Sequence, residues 1–306
     1  MNLRQIEVFR AVMRAGTLSG AAEVLHVSQP AVSRLIRYLE SKLQVALFER
    51  SGGRLHPTPE AMALMREIDS AWRSIDRVKM YAEQLRHGVS DTLRICTNLS
   101  PALDLLPRAV AELKRRMPGL HIAMEIATQT QITEQLLTGE CDIGVAAFVQ
   151  HRHPALTHHL IGEGNVLCVM AADHPLAMRT QLKLEEIQAY DVISFGTETA
   201  HGKVVEALLG SGEALRKATV DVRYAYIACS VAVHGWGIAL VDDLTVAGFK
   251  DPRLVAVPLA QSVRYGAYAM SSAERPPSAG GREIVNLLQL YWKEACRTMN
   301  AQTMAQ

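Results

Sequence analysis

The sequence predicts an α/β protein: an all-α winged helix-turn-helix head, a long linker helix and a body of two α/β subdomains. Three patterns predict it. A firmly started amphipathic helix over 28–43 follows a tight helix pair, a heptad seam runs from Ala61 to Leu85, and strand and helix patterns alternate from residue 91 onward.

In the head, residues 1–57, Leu3, Ile6, Val8, Phe9, Val12 and Met13 give a first helix that ends near Gly16. Thr17 caps a second, packed through Leu18, Ala21, Ala22 and Leu25, and His26-Val27 leaves room only for an angled helix pair. The third helix starts with Ser28 as its capping hydroxyl and Pro30 in its first turn, where a missing N–H costs nothing. Val32, Leu35, Ile36, Leu39 and Leu43 form its apolar stripe. Gln29, Ser33, Arg34 and Arg37 then face outward. Gln pairs bidentately with adenine, Arg with guanine or phosphate, and Ser with either, so this face suits DNA. Two short extended runs around Ser51-Gly52-Gly53 read as a β-hairpin wing, with Arg50 and Arg54 placed to straddle a phosphate backbone or enter a minor groove.

Charge supports the same division. Residues 1–57 carry eight Lys/Arg against four Asp/Glu, +4 in a chain whose net charge is +1, so the remainder is −3. A basic head on a mildly acidic body confines polyanion contact to the N-terminus.

Thr58-Pro59-Glu60 starts the connector at 58–88: a capping hydroxyl, a first-turn proline and an acid near the positive end of the helix dipole. Ala61, Leu64, Ile68, Ala71, Ile75, Val78, Ala82 and Leu85 recur at spacings of three and four. Such a helix is about 45 Å long and needs a partner helix, which implies a homodimer.

In the body, strands are expected at 92–97, 120–127 and 142–147, with helices at 101–117 and 132–137. The rhythm repeats with strands at 166–171, 191–195, 220–224 and 237–241 and helices beginning near Gly202 and Ala225. A strand over 265–270 and an amphipathic helix over 282–296 close the chain. This alternation predicts a largely parallel sheet whose ligand crevice lies beyond the strands' C-terminal ends. The predicted subdomains are 91–161 with 267–306, and 162–266.

Ala21-Ala22, Leu25, the run from Val27 to Arg34, Ile36, Leu39-Glu40, Leu43 and Leu47-Phe48-Glu49-Arg50 together resemble the winged helix-turn-helix signature of LysR-type transcriptional regulators. The resemblance covers essentially the whole chain, because the run from Gly139 to Gly144 and His174-Pro175-Leu176-Ala177 also match the family's recurring motifs. It implies a bacterial regulator that binds double-stranded DNA as a dimer or tetramer. Gln29, Pro30, Ser33 and Arg37 would lie nearest the bases, and Arg34, Arg50 and Arg54 at the backbone or minor groove. It also implies an effector domain like a periplasmic binding protein, with a small molecule between its subdomains, and RNA polymerase as a further candidate partner. One departure is Glu60-Ala61-Met62, where the family commonly has a glycine.

The candidate effector residues follow from strand ends. Asn98 and Ser100 form an anion-friendly corner with the next helix start, suited to a carboxylate. Thr128, Gln129, Thr130 and Phe148 end the next strands of the first subdomain, and Thr197, Cys229, Ser230 and Asp242 face them from the second. Asp242 stands where most family members carry proline, and its surroundings resemble the branch that senses amino acids and opines. An acid opposite a carboxylate corner suits an ammonium group.

Rival functions find little support in the residues. Ser100 or Cys141 as a nucleophile lacks a recognisable His partner, G-x-S-x-G elbow or glycine-rich phosphate loop, so an enzyme is not expected. The five cysteines are far apart in sequence, without C-x-x-C or metal-ligand spacing, which predicts reduced, buried thiols with no metal and no cofactor. A redox sensor would need a low-pKa thiol with a resolving partner. The amphipathic start and the absence of any membrane-length apolar run point to a cytoplasmic protein.

Overall fold

The computed structural model describes residues 1–51, 54–87, 92–149, 151–196, 199–210 and 220–303. The chain divides into two compact units, Met1–Gly88 and Val89–Gln306.

The first unit opens with helix α1 (Leu3–Ala15), started by a reciprocal pair in which Gln5 N–H donates to the Asn2 side chain and Asn2 N–H to the Gln5 side chain. Gly16, at φ 66°, ends it in the left-handed region. Thr17 caps α2 (Leu18–Val24) by accepting from Gly20 N–H at 3.0 Å. α3 (Gln29–Leu43) follows a short turn. Ser28 occupies its cap position, but its hydroxyl makes no capping hydrogen bond, contrary to the expectation; its carbonyl takes Ala31 and Val32 N–H instead. Val32, Ile36 and Leu39 are buried, whereas Leu35 is half-buried and Leu43 exposed, so the apolar stripe is narrower than predicted.

Strands β1 (Phe48–Ser51) and β2 (Arg54–Pro57) form the antiparallel wing. It is anchored from α3, because Glu40 Oε1 accepts from both Leu47 and Phe48 N–H at 2.9 and 3.1 Å. Thr58 caps α4 (Pro59–His87) through Ala61 N–H while its hydroxyl donates to Ala46 O at 2.9 Å. Ala61 and Ile68 join the head core of Val8, Phe9, Val12, Val32, Ile36 and Leu39. Arg10 then fastens α1 to α4: it donates to Asp69 at 3.0 Å and lies 4.7 Å over the Trp72 ring. Among the described seam residues, Ala61, Leu64 and Ile68 pack in the head core. Ala71 and Val78, further along, are exposed.

The second unit begins with β3 (Thr92–Thr97), α5 (Leu99–Leu103), α6 (Leu105–Arg116), β4 (His121–Ile126), α7 (Gln129–Thr138) and β5 (Ile143–Ala147). The single helix expected over 101–117 is two. Pro107 lacks an N–H and its ring would strike the carbonyl of Leu103, so the helix restarts at Asp104 with φ −143°. β6 (Leu156–Ala171), α8 (Leu184–Ile187), β7 (Ser194–Phe195), α9 (Ala200–Leu209), β8 (Asp221–Val222), α10 (Ala225–Ala232), β9 (Ala239–Asp242), α11 (Asp243–Gly248), β10 (Leu254–Pro258), β11 (Arg264–Ser272) and α12 (Ala279–Thr303) complete it.

The main sheet runs β10-β6-β11-β5-β3-β4, with β9 also on β6. β3 is parallel to β4 and β5, as expected. β6 and β11, however, are antiparallel to all their partners, which corrects the largely parallel prediction. The reason is that both crossings between subdomains are themselves strands. The first part of β6 pairs with β11, and Val166–Ala171 turns to β9 and β10. The boundaries drawn from sequence at 161/162 and 266/267 fall inside these two strands. Leu93, Ile95, Ile143 and Val145 pack beneath Leu106, Ala109 and Leu113 of α6 and Leu288 of α12 in the main core.

Candidate functional site

The outer face of α3 presents Gln29, Pro30, Arg34 and Arg37 to solvent, with Ser33 half-buried. Arg37 Nε donates to the Ser33 carbonyl at 3.4 Å, a bond weak enough to be exchanged for a base or phosphate. Tyr38, 57% exposed, joins this face one turn after Arg34, and sequence reasoning missed it. Its signal was available: an aromatic hydroxyl at i+4 from a basic residue outside the apolar stripe. Arg50 and Arg54 stand on the two wing strands, and their side chains lie outside the described residues.

The second unit holds a cavity of about 540 Å³ between its subdomains. Asn98, Ser100, Thr128, Gln129, Thr130 and Phe148 line it from the first subdomain. Thr199, His201, Lys203, Arg223 and Tyr224 line it from the second, and His151, Arg152 and His153 from the segment leading to β6. None of these last eight was anticipated, because they lie on loops or helix starts with no local motif. Arg152, Lys203 and Arg223 face a single described acid on the cavity wall, Glu134. The wall is therefore electropositive.

Several wall residues are already committed. The Asn98 side chain donates to Ala147 O at 3.1 Å and accepts from Ala147 N–H, bracing β3 against β5. Thr128 caps α7 in a reciprocal pair with Gln131. Phe148 adopts φ 60°, strained for an aromatic residue, and is held there by stacking on Tyr265 at 4.3 Å and an edge contact with His201 at 4.8 Å. Arg152 lies 4.9 Å over the Tyr268 ring and donates to its hydroxyl at 2.8 Å.

Three predicted residues are not on the wall. Cys229 is fully buried on the inward face of α10 beside Ala225, Ala228 and Ala232, and burial pushes its thiol up to about 12. Ser230, next along the same helix, points the other way; it donates to Tyr226 O and lines a surface groove with Tyr226, His234 and Phe249. Both misplacements have one cause: proximity to a strand end in sequence says nothing about which face of a helix a residue occupies. Asp242 has no exposed surface and lies behind Ser100, which donates to it at 3.0 Å. It caps α11, accepting from Thr245 N–H at 2.9 Å. Thr197 lies outside the described residues.

Cys96 and Cys141, distant in sequence, meet in space: Cys96 N–H donates to Cys141 Sγ at 3.2 Å, and both are buried. Hydrogen bonding to Cys96 and burial raise the Cys141 thiol, and burial raises Cys168 to about 12. Neither has the lowered pKa of a reactive thiol. No helix among the described residues is long and apolar enough to cross a membrane.

Comparison with known proteins agrees with this geometry. The family described as bacterial regulatory helix-turn-helix protein, lysR family, matches residues 3–62, and the LysR substrate binding domain matches residues 86–292. The octopine catabolism/uptake operon regulatory protein OccR of Rhizobium meliloti is 32% identical over 281 residues, 91% of this chain and 92% of that protein. The transcriptional activator protein LysR of Escherichia coli (strain K12) is 29% identical over 279 residues, 91% and 89%. Full-length CbnR, solved in complex with its target DNA, superposes with a TM-score of 0.71 at 20% identity, covering 94% of this chain and 99% of that one. With a helix-turn-helix unit and an effector-binding unit both matched, the chain belongs to the LysR family of DNA-binding transcriptional regulators.

Proposed function

We propose that the chain is a cytoplasmic regulator that reads an operator through α3 and answers to a small carboxylate, of the amino-acid or opine class, held between its effector subdomains. The observation that carries the effector class is the cavity wall: hydroxyls and amides with Arg152, Lys203 and Arg223, against Glu134 as the described acid. An anionic group gains favourable charge interactions with those three cations there. The relation to an octopine-operon regulator supports the same class.

At the operator, Gln29, Pro30, Ser33 and Arg37 read bases while Arg34, Arg50 and Arg54 hold the backbone or minor groove. Residues 58–88 pair two copies, because the seam beyond Ile68 carries exposed Val78 that the chain's own head does not cover. Two such dimers form a tetramer, and RNA polymerase is the downstream partner.

Genome-wide and in vitro DNA binding at stated salt, with wild type and Arg37→Ala, tests this reading. Discrete sites lost in the variant are expected, with occupancy or footprint changed by metabolites of the adjacent genes. Salt-sensitive binding without preferred sites, unaltered by the substitution, would overturn it.

A further inference from the structure

Among the described residues the wing is a two-stranded ribbon without a sheet neighbour: β1 and β2 pair only with each other. A hairpin with four residues in each strand is marginally stable on its own in water, so its orientation on the head is set from outside the ladder. Apolar contacts supply part of that hold, through Phe48 against the Phe9 ring at 5.8 Å and half-buried Leu55 on the head core. They are non-directional and leave the ribbon free to rock.

The directional hold is at the root, 46–48, which follows Gln44 at φ 55° and an irregular stretch over 45–47. Both polar sides of the root are gripped. The N–H groups of Leu47 and Phe48 donate to one oxygen, Oε1 of Glu40 on α3, at 2.9 and 3.1 Å. The carbonyls of Ala46 and Leu47 accept from the hydroxyl and the N–H of Thr58, at 2.9 and 3.0 Å, where α4 begins. An oxygen that takes two N–H groups at once draws on the strength of a carboxylate. Removing it strands two backbone donors, one of them on fully buried Leu47.

Glu40 shares the rod of α3 with the base-reading face, three residues past Arg37 and about 4.5 Å further along the axis. A wing fixed to Glu40 is therefore fixed in register with that face. Two DNA-contacting parts held at the right spacing act at a high effective concentration, and the advantage is lost when the link between them loosens.

We infer that Glu40 is a positioning residue for operator binding: it touches no DNA, and it sets Arg50 and Arg54 of the wing at the spacing from α3 at which both elements meet the duplex together. This rests on the wing arginines meeting DNA, as proposed above. Thr58 holds the same root from α4, so the recognition helix, the wing and the linker helix share one joint.

Fluorescence anisotropy of the full-length protein over a range of salt tests it, with a random-sequence duplex and a duplex carrying the strongest site recovered genome-wide as probes. Glu40→Ala is expected to weaken both about tenfold and to lower the salt slope by about one to two, with the ratio between the probes kept within about twofold. Glu40→Gln, which retains a neutral acceptor oxygen, should restore affinity to within about threefold of wild type. In an Arg50→Ala, Arg54→Ala background the Glu40→Ala loss should shrink below about twofold, because no wing contact is left to misplace. A loss of the same size in both backgrounds, wild-type affinity in Glu40→Ala, or a collapsed ratio with an unchanged salt slope overturns the positioning role and leaves the wing contact standing. Wild-type binding by the paired arginine variant overturns the wing contact and the inference with it. Thermal unfolding checks the fold. Where Glu40→Ala does not fold, Glu40→Gln runs the same cycle: a loss of about threefold confined to the background with both arginines is expected, and an equal loss or none in both overturns the role.

Discussion

Replacing Ser100 with Ala and Asp242 with Asn, singly and together, measures how firmly the cleft floor ties the two subdomains. Ser100 supplies one of the three hydrogen bonds that Asp242 accepts, at 3.0 Å. A hydrogen bond to a charged group contributes about 1.5–3 kcal/mol, so Ser100→Ala should cost about 2 kcal/mol. Asp242→Asn keeps the cap on Thr245 N–H but removes the charge and turns one acceptor into a donor. A similar cost of about 2 kcal/mol is expected, since the two hydroxyls must re-aim. If the Ser100–Asp242 bond is the shared element, the double variant loses about 2.5 kcal/mol instead of about 4, a coupling near 1.5 kcal/mol. Thr245 Oγ1 lies within hydrogen-bond distance of both Asp242 Oδ2 and Ser100 Oγ, at 2.8 and 3.1 Å, so the coupling reports the Ser100–Asp242 bond together with this shared hydroxyl. The assay is urea unfolding of the full chain in a Trp72→Phe background, so that fluorescence comes from Trp236 and Trp292 of the second unit. Additivity within about 0.5 kcal/mol would mean that the two side chains do not act on each other, and the tie between the subdomains would have to be sought elsewhere.

Two glycines separate backbone strain from steric conflict. Gly16 (φ 66°) has open space where an alanine methyl would stand, so Gly16→Ala should cost only the left-handed penalty of about 1–2 kcal/mol, whereas at Gly237 (φ 88°) the methyl would stand 2.4 Å from Asp191 O and the loss in thermal unfolding should clearly exceed that. For DNA, Gln29→Ala and Arg37→Ala should each remove about 1–3 kcal/mol of discrimination between operator and altered operator in fluorescence anisotropy. Arg34→Ala should instead weaken all sequences alike and reduce the salt slope by about one. Burial lowers the pKa of His158, His174 and His201 from the ordinary 6.5. Their contribution to stability is present above pH 6.5 and is lost as pH falls below it, with a slope of at most about 1.4 kcal/mol per pH unit for each. A melting temperature that falls from pH 7.5 to 5.5, and falls less in His201→Gln, is expected. Asp251, held down to about 2 by Arg253, has the same sign but acts only below pH 3.8.

The head was legible because its signals are local. Thr17, Pro30 and Thr58 mark helix starts within a few residues of where they act, and the stripe on α3 reads directly from its spacing. Ser28 shows the limit: the cap position was correct, but whether its hydroxyl bonds is decided by a rotamer that spacing does not encode. In the body, β-α-β alternation revealed β3, β4 and β5, whose pairing follows from the crossover rule. The direction of β6 and β11 was not visible, because it depends on which subdomain the chain is leaving. The cleft followed the same division. Asn98, Ser100, Thr128 and Phe148 lie immediately after strands and were found, while Arg152, His201, Lys203 and Arg223 come from a loop, a helix and a strand end that only tertiary packing brings together.

An effector can shift the balance between two subdomain arrangements only as far as it binds one better than the other. Ser100 belongs to the first subdomain and Asp242 to the second, so the hydroxyl on the cavity wall is also part of the tie between them. A ligand that donates to Ser100 Oγ leaves the hydroxyl donating to Asp242 and strengthens the tie, since a polarised hydroxyl is a better donor. A ligand that must accept from Ser100 takes that hydrogen bond and leaves Asp242 one bond short. The difference between these modes is the bond itself, about 1.5–3 kcal/mol, or roughly a 10- to 150-fold shift in the population of the tied arrangement. Amine and des-amino ligands of the same length should therefore act in opposite directions. With L-glutamate and glutarate as the pair, amide hydrogen exchange at the start of α11 is expected to slow with the first and quicken with the second. Equal protection by both would show that Ser100 does not couple the ligand to the second subdomain, and Asp242→Asn, which removes the charge, should abolish the difference between them.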